Sequence, residues 1–370
     1  MVFSFILAII VVSGVALFAL LAVYGERKIA AFIQNRLGPI EVGPYGLLQT
    51  LADILKLLQK QLVINASANK PLFVIAPIVI FLAIFLGLAA IPLGPRFIGV
   101  NLNIGLVYII GIVSIEVIGI LMTGWGSNNK YSLIGAVRSV SQIISYEIPA
   151  GLALLSAVIM YSSLDLFEIC ELQGIAKNTT LWAWGFWEVQ EVGGFFSWGI
   201  FRYPHLLLPM IVYFIASLAE CNRAPFDLPE AESELVAGYL TEYSGFRFAL
   251  IMLAEYANML LVSFLFVILF WGGYQSPFPN LGATLENGTT WVLVKNLQLA
   301  TLTNGPFWGV FWLLLKASIV VLIQMWVRWS YPRLRADQLM ILCWKYLTPL
   351  ALFSVFISAT WKVLEIYFGS

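Results

Sequence analysis

The chain has 370 residues, 61% of them apolar and only 11% charged, with twenty basic and twenty acidic side chains and no net charge. Soluble globular chains carry about 25% charged residues, so too little polar surface exists here to coat a water-soluble body, and the balanced charge excludes a nucleic-acid-binding role. The three scattered cysteines, Cys170, Cys221 and Cys343, and the single His205 exclude a zinc or iron–sulfur site of usual ligand spacing, and no strand leads into a Gly-rich phosphate loop.

Only helices and closed barrels satisfy their backbone inside a bilayer, and unbroken apolar runs of about 20 residues select helices. The first run covers residues 2–25; no basic residue precedes it and no small-residue cleavage site follows, so it is read as a retained first helix. Residues 44–62 place Gln49, Asp53, Lys56 and Lys60 on one helical face opposite Leu47, Leu48, Leu51, Ile54, Leu55 and Leu58, the pattern of a helix lying along the membrane surface. Further spans are expected at 72–93, 102–125, 134–160, 204–220, 247–272, 306–328 and 344–367, giving an all-α polytopic membrane protein of about eight transmembrane helices in one membrane domain. Loops after odd-numbered spans hold fourteen basic residues and the opposite loops and ends hold five, with Lys316 inside a span. The positive-inside rule therefore places the basic loops inward and both termini outward. The outer loops, 161–203 and 273–305, carry tryptophans suited to the lipid interface.

Charges within the spans are costly, about 2.5–3.5 kcal/mol each at mid-bilayer on insertion scales, and are functional candidates for that reason. Glu116 lies in the third span, Glu147 stands two residues before Pro149 in the fourth, Glu220 closes the fifth, Glu255 lies two turns into the sixth, and Lys316 is central in the seventh with Gln324 two turns on. Proline frees a backbone carbonyl and kinks a helix beside such a carboxylate. Buried carboxylates hold or pass protons near neutral pH, so these five residues predict a polar proton path; static pairing of Glu with Lys across helices is the plainer alternative. The inner loop at 220–247 is acidic against the positive-inside tendency, with Glu220, Asp227, Glu230, Glu232, Glu234 and Glu242 facing only Arg223 and Arg247.

Four blocks then resemble a known family. They are Gly25-Glu-Arg-Lys through Arg36-Leu-Gly-Pro39 and on to Leu57, Gly126-Ser-Asn-Asn-Lys-Tyr-Ser132 with Gln142-Ile-Ile-Ser-Tyr-Glu-Ile-Pro149, the acidic loop continued to Ala254-Glu-Tyr-Ala-Asn258, and Arg328-Trp-Ser-Tyr-Pro-Arg-Leu-Arg335 with Trp344-Lys345. In this order they resemble subunit 1 of respiratory complex I, an NADH:quinone oxidoreductase, known in the bacterial enzyme as the H subunit; Gln61 departs from an acidic position usual in that family. The resemblance implies a translocase subunit with no redox cofactor of its own. It would line a chamber for a quinone substrate and take electrons from a peripheral arm carrying flavin and iron–sulfur clusters. Arg27, Gln34, Arg36 and Asp53 would line the chamber's entrance and floor, with Phe226 and Asp227 beside it. Arg223, Glu230, Glu232, Glu234 and Glu242 would form the coupling loop that responds to quinone reduction, and Glu116, Glu147 and Glu220 would lead toward antiporter-like subunits. The implied location is a bacterial inner membrane, with the mitochondrial inner membrane as alternative. Two rival readings are a membrane subunit of an energy-converting hydrogenase, which needs no quinone, and a secondary ion transporter, for which no inverted repeat is visible.

Overall fold

The computed structural model describes residues 2–174, 179–180, 188–189, 193–228, 236–279 and 303–368. Helix α1 (Val2–Ile33) is followed by the short α2 (Gln49–Gln59) and by α3 (Lys70–Ala89). The next pass is split into α4 (Gly105–Val113) and α5 (Ile115–Ser127), and α6 (Lys130–Tyr161) returns across the bundle. Beyond the far end of α6 lie α7 (Leu166–Leu172), a two-residue pairing of β1 (Thr179–Thr180) with β2 (Glu188–Val189), and the single turn α8 (Gly199–Arg202). The remaining passes are α9 (Leu207–Glu220), α10 (Gly245–Phe270), α11 (Pro306–Ser330) and a last helix made of α12 (Ala336–Ile341), a π turn at Leu342–Leu347 and α13 (Thr348–Phe368). Among the described residues, seven helical segments are long and apolar enough to cross a membrane and the shorter Pro204–Glu220 adds an eighth apolar pass. The chain is an all-α multi-pass membrane protein, as its composition demands.

The centre of the bundle is α10. Apolar residues surround its whole circumference, and every residue from Tyr256 to Phe270 is buried. It packs against α1, α2, α3, α9 and α11. Helix α2 is the opposite case: its leucines and its Asp53 and Lys56 lie on separate faces, and it rests against α1 and α10 at the inner end of the bundle. Close approach elsewhere depends on glycine. A β-carbon at Gly124 would stand 2.3 Å from that of Ala136 on α6, and one at Gly119 would stand 2.5 Å from Ile80 on α3, so α5 nests between two helices as small residues allow.

Three departures from regular helix position the site. Pro149 cannot bond the Ser145 carbonyl, and the Cys343 thiol of the π turn donates to it instead at 3.0 Å. Pro77 likewise frees the Phe73 carbonyl, which accepts the Tyr243 hydroxyl at 3.2 Å. Between α4 and α5 the Ser114 hydroxyl bonds back to the Ile110 carbonyl at 2.9 Å and also reaches Glu147, where the sequence predicts one unbroken span. The fifth pass is short for a bilayer: Pro204–Glu220 rises about 26 Å against a hydrocarbon core of about 30 Å.

Candidate functional site

Helices α1, α2 and α10 flank a cavity of about 800 Å³ whose lining also takes in Arg328 and Trp329 of α11 and the turn Arg36–Pro39. Its walls are apolar and partly small, with Ala16, Ala19, Leu20 and Val23 from α1, Ile54 and Leu57 from α2, and Leu250 and Leu253 from α10. Charge is confined to one end, where Glu26, Arg27, Arg36, Asp53 and Arg328 gather with Tyr256. Arg27 donates to Asp53 at 2.5 Å and Gln49 to the same carboxylate at 3.2 Å, fixing α2 to α1. Arg27, Arg36 and Asp53, which the resemblance implies for a chamber's entrance and floor, all line this cavity. Gln34 is exposed and outside the lining, and Phe226 and Asp227 are likewise not brought to the cavity. The Phe226 ring packs on Tyr146 at 5.3 Å, its carbonyl accepts Gln142 at 2.7 Å, and Asp227 pairs with Arg333 at 2.8 Å.

Glu26 is the residue that hydropathy and charge at membrane depth do not single out. It is 6% exposed in the cavity wall and accepts from Tyr256 at 2.5 Å, from Arg328, and from Arg223 at 3.4 Å. A carboxylate this buried is stable as an anion only with such partners. Its signal lies in the stripe Val15, Ala19, Ala22, Glu26 and Ala30, buried throughout, whose helical spacing puts Glu26 on the inward face.

Behind Glu26 the carboxylates converge. Arg223, with its guanidinium 4.5 Å from the Tyr256 ring, interacts electrostatically with both Glu26 and Glu255. Glu255 accepts the Tyr239 hydroxyl at 2.8 Å, Glu116 accepts the Asn258 amide at 3.1 Å, and Glu147 accepts Ser114. Glu116 lies close enough to Glu220 and Glu255 for their charges to interact, and Glu220 does so with Glu147. Four of the five predicted path residues thus form one cluster. Tyr239, Asn258 and Ser114, none of which carries a charge to draw attention in the sequence, complete its hydrogen bonding.

Lys316 is placed elsewhere. Its ammonium donates to the carbonyls of Trp271, Gly273 and Gln275 at 2.8, 3.1 and 2.6 Å and lies 4.1 Å from the Trp198 ring, with no carboxylate partner among the described residues. Depth in the bilayer matched the acids, but the face of α11 that carries Lys316 turns toward the outer end of α10. There the ammonium gathers carbonyls of the turn that follows α10. Lys316→Met is expected to destabilise the subunit by about 3 kcal/mol, since buried carbonyls stripped of donors cost about 1–3 kcal/mol each; a lowered thermal midpoint of the assembled complex measures this. Glu242 accepts Asn129 at 2.8 Å beside the start of α6, while Glu230, Glu232 and Glu234 lie outside the described residues. Among the described residues no group of three or more His, Cys, Asp or Glu side chains converges as for a metal ion.

The family model described as NADH dehydrogenase matches residues 6–359. The H subunit of the NADH-quinone oxidoreductase of Chlorobium luteolum is 54% identical over 97% of this chain and 89% of its own length. That of Chlorobaculum parvum is 53% identical over 97% and 92%, and the H 2 subunit of the Cytophaga hutchinsonii enzyme is 51% identical over 95% and 97%. The chain belongs to this family. It is a membrane subunit of an oxidoreductase complex of the complex I type, and the geometry above is the form that family membership takes in this chain.

Proposed function

We propose that the chain lines the quinone chamber of an NADH:quinone oxidoreductase and couples quinone reduction to proton translocation through its buried carboxylates. The observation that carries this reading is Glu26, which stands in the cavity wall and, through Arg223, adjoins the cluster of Glu255, Glu116, Glu220 and Glu147. The apolar cavity walls accept a lipid-soluble tail, and the polar end holds the reacting headgroup. Reduction draws two electrons, supplied by the iron–sulfur clusters of a peripheral-arm partner, and two protons. Each proton taken from the polar end changes the charge facing Glu26 and Arg223. A change in how Arg223 divides between Glu26 and Glu255 then shifts the protonation of the acids behind it, which biases proton movement in neighbouring antiporter-like subunits. The acidic loop with Asp227, Glu230, Glu232, Glu234 and Glu242 serves as the coupling loop, and the complex resides in a bacterial inner membrane.

The test is the double change Glu147→Gln with Glu220→Gln in the assembled complex. NADH-driven quinone reduction in uncoupled vesicles is expected to continue while the protons moved per electron pair fall. An unchanged ratio removes the coupling role. Against the membrane subunit of an energy-converting hydrogenase stand the relatives at 51–54% identity, all H subunits of NADH-quinone oxidoreductases.

A further inference from the structure

The mouth of the cavity carries more positive than negative charge. Its ionisable lining residues are Arg27, Arg36 and Arg328 against Glu26 and Asp53. Asp53 takes Arg27 and Glu26 takes Arg328, so Arg36 is the lining guanidinium with no ion pair among the described residues, and it is exposed. A guanidinium fork in that position is suited to grip a carboxylate through two parallel hydrogen bonds.

Above this mouth the slot runs along α1. From Arg27 back to Ala16 the helix rises about 16 Å, roughly half of the ~30 Å hydrocarbon core, so the slot is one leaflet deep. Its volume of about 800 Å³ falls in the range of about 300–1,000 Å³ that encloses one small ligand. A molecule with one apolar chain and one anionic head matches depth, volume and charge together.

We propose that the slot binds a long-chain carboxylate, the anion of a fatty acid, with its head on Arg36 and its tail along Ala16, Ala19 and Leu20, and that bound anion excludes the quinone. The exclusion rests on the chamber being the quinone's, as proposed above; the binding itself does not.

The probe is a long-chain fatty acid carrying a photoreactive diazirine near its tail end, applied to the assembled complex in membrane vesicles. Labelling is expected on α1 between Ala16 and Val23. Unlabelled fatty acid is expected to inhibit quinone reduction about tenfold more strongly than the alcohol of equal chain length, the size of one charge-assisted hydrogen bond. Arg36→Gln is expected to bring acid and alcohol to near-equal potency. Equal potency on the unaltered chain, labelling elsewhere, or preferential labelling of the slot by a photoreactive anionic phospholipid overturns the proposal. Label in the slot that excess quinone fails to displace keeps the fatty-acid site and defeats the quinone assignment. A photoreactive quinone that labels the slot while the fatty acid does not has the reverse meaning.

Discussion

Glu26→Ala is expected to reduce quinone reductase activity more than any other single change in the cavity wall. Arg223 is 7% exposed and shares Glu26 with Arg328, so removing the carboxylate leaves two guanidinium groups facing each other around a hole. Breaking a buried pair costs about 3–5 kcal/mol, offset in part here because Glu255 still faces Arg223. The subunit should assemble poorly, as native gels of solubilised membranes would show, and the assembled fraction should lose quinone reduction by more than about tenfold, the equivalent of only 1.4 kcal/mol in the barrier. Glu26→Asp retains the charge but withdraws it by one methylene, and is expected to recover assembly more fully than turnover. Recovery of both to the same degree would show that Glu26 serves structure alone.

Ala19→Phe is the second large effect. Ala19 is 5% exposed and borders the slot between α1 and α10. A phenyl ring there has no room in the packed bundle and must enter the cavity, so the apolar tail of a quinone loses its place while the charged end keeps its partners. The expected result is a rise of about tenfold or more in KM for a long-tailed quinone, with a smaller rise for a short-tailed analogue, because the lost contact is to the tail. Electron transfer from NADH to a water-soluble acceptor at the peripheral arm is expected to stay intact. Equal effects on long and short tails would place the tail elsewhere.

The fold was legible wherever length and hydropathy decide. Each apolar run could do nothing but span, and the polar stripe of Asp53 and Lys56 against leucines foretold a surface helix. The break at Ser114 was hidden because one serine hardly changes the hydropathy of a run, although its hydroxyl is what reaches Glu147. The π turn at Leu342–Leu347 was hidden for a related reason: what its Cys343 thiol meets, the Ser145 carbonyl freed by Pro149, lies on another helix. At the site, charge at membrane depth identified Glu116, Glu147, Glu220 and Glu255, but depth carries no information about direction around a helix axis. Lys316 was grouped with the acids on that account, and the fold turns it to a cradle of carbonyls instead. Glu26 was missed by the opposite error, since it fell one residue past the end of an apolar run and looked like a loop charge.

Neighbouring positions on α10 serve both halves of the site. Tyr256 touches Glu26 at the cavity, Glu255 faces Tyr239 on the acid side, and Asn258 reaches Glu116. Successive helical residues stand about 100° apart on a stiff rod, so a roll of this one helix by a fraction of a turn would loosen one contact as it tightened another. The cavity and the acid cluster accordingly share an axle, and under the proposed function a mutation that merely changes how α10 seats among its neighbours should disturb binding and pumping in concert.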